Sequence, residues 1–228
     1  VGTFGDLRIH DEHNPRYRYR LQVIASDLTL GRMLVLPDDI KAYGLDPDSM
    51  EVAQAVRMSA GIPFFYEPMM LRYGRLGHKG SYVVDGGLLS NYPVWLFDCP
   101  KDRFPRWPTI GLRLVDPRAG QPSRITGPLS LLTALFSTML EAHDARHIKE
   151  ANFVRTIPIN TLGVRTVDFN IPPSLRHKLY ESGVSAAKKF FATWDFTAYK
   201  NQYRQPQPLA RLTGPKGSST TGATHCLS

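Results

Sequence analysis

The sequence predicts an α/β layer fold with a mostly parallel central sheet. Two observations predict it. Short apolar runs of strand length alternate with longer segments whose apolar residues recur at helical spacing. Leu21, Val23, Ile24 and Ala25 form a nearly continuous apolar run, the pattern of a strand buried on both faces, as in parallel sheets. With 42% hydrophobic residues among 228, the chain can bury a sizeable core in one domain, or one and a half. No apolar run reaches the roughly 18 residues that a membrane-spanning helix needs.

Taken in order, residues 1–15 are polar and open no clear element. Tyr17 to Asp27 is expected as a strand, with Arg18 and Arg20 alternating with Tyr17 and Tyr19 before the apolar run. Ser26-Asp27 and Thr29-Leu30-Gly31 end it, and Arg32 to Leu36 is expected to return as a short strand. Asp46-Pro47-Asp48-Ser49 is a good helix start. Met50, Val52, Ala53, Val56 and Ala60 follow at helical spacing until Gly61-Ile62-Pro63 stops them. Phe64, Phe65, Tyr66 and Pro68 then make an aromatic connection. Loops are usually polar, so this one is expected to pack under another element or line a cavity.

Ser81 to Asp85 is a β-rich run that ends on a carboxylate, followed at once by Gly86 and Gly87. A strand fixes an acid, and glycines after it let backbone or ligand come close. Those residues alone more often mark a plain Asp-Gly turn than a site. Pro93 to Phe97 starts a helix, and Thr109 to Val115 is a strand. Leu129 to Asn152 is the longest helix, with Leu132, Leu135, Phe136, Met139, Leu140 and His143 on one stripe. Phe153 to Asn160 and Thr166 to Asn170 are short strand-like pieces. Ser174 is expected to cap a last helix that buries Leu175, Leu179, Ala186, Phe190 and Trp194. Residues 1–198 are expected to hold the folded part, and 199–228, rich in Gln, Pro, Gly, Ser and Thr, a disordered tail.

The net charge of +8 permits attraction to nucleic acid or to an anionic membrane. The cations are mostly scattered and no nucleic-acid module signature is present, so no nucleic acid is expected as a partner. Cys99 and Cys226 form no disulfide framework and no metal motif. His143 and His147 lie four apart on one helix face, the spacing of a zinc-peptidase motif, but Asp144 stands where that motif has Glu and no third ligand follows. No metal or other cofactor is expected. Ser59 has half of a nucleophile elbow, Ser59-Ala60-Gly61, but Arg57 stands where the first Gly belongs, and a helix precedes it rather than a strand. Gly183-Val184-Ser185 lacks its second Gly, since Ala187 occupies that position.

Three blocks in register carry a resemblance. They are Leu21 to Arg32, Ala53 to Phe65, and Val84 to Pro93 with its Asp85-Gly86-Gly87. In that order and spacing the chain resembles the C-terminal part of a patatin-like phospholipase domain, from about Asp6 to Trp194. The long helix with Met139 and Asp144, and Arg155-Thr156-Ile157, are similar to bacterial members. The resemblance implies a three-layer α/β fold and a lipid acyl hydrolase, of the phospholipase A or esterase type, with a Ser–Asp dyad. Its Ser sits in Gly-x-Ser-x-Gly, an upstream Gly-rich loop supplies the oxyanion donors, and the Asp of Asp-Gly-Gly accepts the proton. Only Asp85 carries over, with Gly86 and Gly87 shaping its turn. Neither the elbow nor the Gly-rich loop occurs in these 228 residues, so the expectation is a domain whose N-terminal strands and helices are absent.

A lipid or acyl ester is then the expected substrate, with Phe64, Phe65 and Tyr66 as candidate lining of the acyl pocket. Peripheral contact with an anionic membrane and a cytoplasmic or membrane-surface location are the matching expectations; the oligomeric state is open. The alternatives are a non-catalytic lipid-binding or regulatory protein of the same fold, and a metal-dependent hydrolase built on His143 and His147.

Overall fold

A computed structural model describes residues 2–10, 17–72, 80–99, 104–118, 121, 125–128, 130–132, 134–135, 138 and 150–204. The strands are β1 (Val23–Asp27), β2 (Arg32–Leu36), β3 (Met69–Leu71), β4 (Ser81–Asp85), β5 (Gly111–Val115) and β6 (Thr156–Asn160). The named helices are α1 (Val52–Ser59), α2 (Glu150–Phe153), α3 (Pro173–Phe191) and α4 (Phe196–Tyr203).

The chain is α/β, but its larger sheet is antiparallel. The order is β2-β1-β4-β3, and every pairing in it is antiparallel. Among the described residues only β5 and β6 run parallel, as a separate two-stranded sheet. This corrects the expectation of a mostly parallel sheet. Only Leu28 to Gly31 joins β1 to β2, and so short a link turns the chain back on itself. β1 is buried along all five residues because it is central, and central antiparallel strands can look as continuously apolar as parallel ones.

One face of the large sheet carries the main core. Val23, Ala25, Leu34, Leu36, Val83 and Leu71 meet Ala55 and Met58 of α1 there. Phe4, Tyr19, Ile40, Tyr43 and Met50 complete the cluster. Asp27 is fully buried beneath it and is satisfied by the Tyr43 hydroxyl at 2.5 Å and the Leu30 N–H at 3.0 Å. Burial and the Asp27 carboxylate push the Tyr43 hydroxyl up to about 12.

Several boundaries differ from the sequence reading. Tyr17 to Arg20 forms turns and one bridge, Tyr19 to Arg8, rather than the start of β1. β3 was not expected, and Thr166 to Asn170 is irregular, not a strand. Ser174 lies within the first turn of α3, whose cap is Pro172 with no side-chain hydrogen bond. The face expected to be buried on α3 is only half-buried. Residues 199–203 continue α4, with Tyr199 buried, and 205–228 lie outside the described residues. Much of the long helix expected over 129–152, including Met139, His143, Asp144 and His147, also lies outside them. Among the described residues no helix is long and apolar enough to cross a membrane.

The segment after β4 links the two sheets. Tyr92 reaches the Thr156 hydroxyl on β6 at 2.6 Å. Its ring crosses over Gly111 so closely that a Cβ there would overlap the Tyr92 hydroxyl oxygen. Asp98 receives both terminal nitrogens of Arg155, which is 1% exposed, and Arg204, just past α4, at 2.5 Å. Asn152 accepts from Arg155 at 2.6 Å. On the far side, α3 and α4 are joined by stacked rings, Phe190 on Trp194 at 5.5 Å and Trp194 on Phe196 at 6.1 Å.

Candidate active site

Asp85 ends β4 opposite Ala25 of β1 and caps a 3-10 turn over Gly86–Leu88. The chain leaves the strand here because two constraints coincide. The Gly87 N–H donates to Asp85 Oδ1 at 2.8 Å, closing a local side-chain turn. Gly86 lies against β1 so closely that a Cβ on it would overlap the Ile24 carbonyl oxygen. No side chain fits there. The first glycine therefore gives close backbone approach, and the second donates to the carboxylate.

A third tie holds the site from behind. The Asp85 N–H donates to the Gly61 carbonyl at 3.1 Å, so the end of β4 is bound to the turn that stops α1. From that turn the Phe65 and Tyr66 N–H groups donate back to the Ile62 carbonyl at 3.2 and 3.0 Å. The aromatic connection is thus tied closely to the backbone of Asp85. Ile62, Val84 and Leu88 form a small apolar cluster around the motif.

The carboxyl is partly buried. Burial pushes its pKa above the usual Asp value, and the Gly87 N–H opposes part of that rise. Asp85 Oδ2 makes no hydrogen bond among the described residues. A half-buried carboxylate with one oxygen held and the other uncommitted can accept a proton from an approaching hydroxyl.

The other candidates fare differently. Phe64, Phe65 and Tyr66 lie beside the motif and are exposed, Phe64 by 62%. Ser59 is the last residue of α1, with no strand leading into it. Ser185 lies within α3, with no strand leading into it, and its neighbour Ser182 donates to the Asn160 carbonyl at 2.8 Å. His143 and His147 lie outside the described residues.

Two site features were missed from sequence. The Gly61 carbonyl is a backbone acceptor, which sequence does not mark. Phe169 packs edge-on against Phe65 and Tyr66, at 5.7 and 5.9 Å between centroids. No periodicity tied position 169 to position 65, and the expected strand over Thr166 to Asn170 gave no sign of that contact.

Residues 20–98 match the family model for patatin-like phospholipase. The match holds the whole antiparallel sheet, α1, the Asp85 turn and the linking segment to Asp98. The chain is 39% identical over 197 residues to YqhO, an uncharacterized protein of Bacillus subtilis (strain 168), an alignment covering 86% of this chain and 62% of that protein. It is 25% identical over 152 residues to an uncharacterized protein of Acanthamoeba polyphaga mimivirus, covering 64% of this chain and 47% of that one. The chain therefore spans less than two thirds of the length of either relative.

Proposed function

From the patatin-like phospholipase match over residues 20–98, we propose that the chain is part of a serine-dependent lipid acyl hydrolase in which Asp85 is the proton acceptor. The observation that carries this is the geometry of Asp85: an acid at a strand end, with one oxygen held by the Gly87 N–H and the other uncommitted among the described residues.

A serine hydroxyl is a poor nucleophile until a base takes its proton as it attacks. Asp85 would take that proton on Oδ2, while the Gly87 N–H keeps the carboxylate oriented. An ordinary Asp is a weak base at pH 7, and partial burial strengthens it. The hydroxyl oxygen would add to the acyl carbonyl as it loses its proton, and Asp85 would return that proton to the departing alcohol oxygen. Asp85 would then take a proton from water, whose attack breaks the acyl–protein bond, releases the acid and gives the proton back to the hydroxyl oxygen. Phe64, Phe65 and Tyr66 would take the acyl chain beside the site. The four-stranded sheet with α1 on one face would be part of a three-layer arrangement.

No Gly-x-Ser-x-Gly stretch occurs in the 228 residues. In this reading the nucleophile and the oxyanion donors come from chain beyond them, and one such donor is worth roughly a hundred- to a thousandfold in rate. The 228-residue chain is expected to show negligible hydrolysis of a p-nitrophenyl acyl ester. The full-length gene product is expected to turn it over, and Asp85→Asn to cut the rate by about a hundred- to ten-thousandfold with folding intact. Turnover by the 228-residue chain, lost in Asp85→Asn, would sink the claim that the nucleophile lies elsewhere. Undiminished turnover by full-length Asp85→Asn would sink the role of Asp85. The missing elbow also supports a second reading, a non-catalytic lipid-binding protein, which predicts lipid binding with no turnover at full length.

A further inference from the structure

We propose that Arg57 is a positioning residue for Asp85. It acts through the backbone, by clamping together the two supports on which Asp85 stands. This deepens the reading of Asp85 as proton acceptor and rests on it.

The first support is the Gly61 carbonyl, which accepts from the Asp85 N–H at 3.1 Å. The second is β3, whose Met69 pairs with Val83 on β4, just before Asp85. Arg57, near the end of α1, joins the two. Its Nη2 donates at 2.7 Å to the carbonyl of Glu67, at the entry to β3. Its Nη1 lies against Gly61, where an added Cβ would stand only 3.1 Å from it. A circuit closes: from Arg57 to Glu67, along β3 and β4 to Asp85, and through Gly61 back to the end of α1.

Two details set this arginine apart from one that only packs. Nη1 is buried with no hydrogen-bond partner among the described residues. An unpartnered buried donor costs stability, so stability alone would not favour this side chain here. The turn that Arg57 spans is also strained. Phe64 lies inside it with φ at +70°, in the left-handed region that bulky residues rarely occupy. Such a state persists only where its surroundings hold it. Arg57 holds both ends of the turn, and its guanidinium lies over the Tyr66 ring at 5.5 Å. Released, the turn would relax and carry the Gly61 carbonyl with it. Proton transfer needs Asp85 Oδ2 aimed at the approaching hydroxyl, and small displacements of a reacting group cost rate steeply.

Two measurements on the full-length gene product test this. The first is amide hydrogen exchange. Arg57→Met is expected to speed exchange at the Asp85 amide about tenfold or more, while the β1 amides exchange as in wild type. A side chain that merely stabilised the fold would speed both together. The second is hydrolysis of p-nitrophenyl acetate, whose acyl group is too short to need the aromatic residues. Arg57→Met is expected to lower kcat about tenfold in the wild-type background, but less than about twofold in the Asp85→Asn background. A residue that acts through Asp85 loses its effect with it. Arg118→Met, which frees the Gly163 carbonyl beside the second sheet, is expected to leave both readouts unchanged. Should Arg57→Met fold poorly, Arg57→Lys is expected to give the same pattern in smaller measure, because it keeps the charge but not the flat contact. Absence of turnover in wild type would strike the hydrolase reading, and exchange would still decide whether Arg57 holds Asp85. The proposal is overturned if exchange at Asp85 is unchanged, if the β1 amides speed up equally, or if Arg57→Met costs as much in the Asp85→Asn background as in wild type.

Discussion

At the scale of the residue, the turn at Asp85 is set by a contact with a strand far away in the sequence. The motif Asp85-Gly86-Gly87 was visible as letters, but such letters more often mark a hairpin turn. What separates the two is the contact of Gly86 with the Ile24 carbonyl, which depends on β1 and β4 pairing across about sixty residues. Gly86→Ala is therefore expected to destabilise the fold by about 2–3 kcal/mol, because overpacking against fixed backbone has nowhere to relax; urea denaturation checks it. The Asp85 carboxyl gives a pH-dependent prediction. Burial raises its folded pKa above the unfolded value, so the ionised form is disfavoured in the fold. Its contribution to stability is fully present below the unfolded pKa, about 4, and is lost as pH rises through the folded pKa. Asp85→Asn is expected to raise the melting temperature at pH 7, and the gain is expected to vanish below about pH 4. A melting temperature lowered by the same amount at both pH values would contradict this. Activity runs the other way, since the base works only when ionised. The acid limb of the full-length protein's rate profile is expected above the ordinary Asp range.

At the scale of the element, the existence of most strands and helices was easier to read than their direction. β2, β4, β5 and β6 fall inside expected runs, and α1 follows its Asp46–Ser49 start with a turn between. Strand direction failed because continuous burial marks a central strand and not its orientation, as β1 demonstrates. α3 failed in another way: its Leu175, Leu179 and Phe190 follow helical spacing, yet none is fully buried. The ion pair that ties β6 to the linking segment had no local signal, since Asp98 and Arg155 are 57 residues apart. Arg155→Met is expected to cost about 3 kcal/mol, the low end for breaking a buried pair, because Arg204 still neutralises Asp98. Urea denaturation measures it. Arg155→Lys is expected to recover only part, because an ammonium cannot reproduce the two-nitrogen grip on the carboxylate.

At the scale of the molecule, the two sheets are connected through the segment that begins at Gly86 and reaches Asp98. Asp85 therefore stands at the junction: β1 and α1 behind it, and Tyr92, Asp98 and the second sheet downstream. In the second sheet β6 buries Ile157, but β5 carries its leucines outward. Leu112 is 66% exposed and Leu114 71%, both on one face of β5. The strand over Thr109 to Val115 was readable from sequence, but which face meets the core was not, because that depends on the neighbours of a two-stranded sheet. Leu112→Thr with Leu114→Thr is expected to raise the solubility of the 228-residue chain and to change stability by less than about 0.5 kcal/mol. Light scattering and a urea melt measure the two effects; a large loss of stability would show that these leucines are covered in solution.

The Gly87 amide donates its proton straight to the Asp85 carboxylate. Glycine amide nitrogens resonate apart from most others, so this N–H is a built-in voltmeter for one ionisation. Its chemical shift, followed against pH in a nitrogen-15 spectrum, reads the charge on Asp85 directly, with no substrate, no nucleophile and no turnover required.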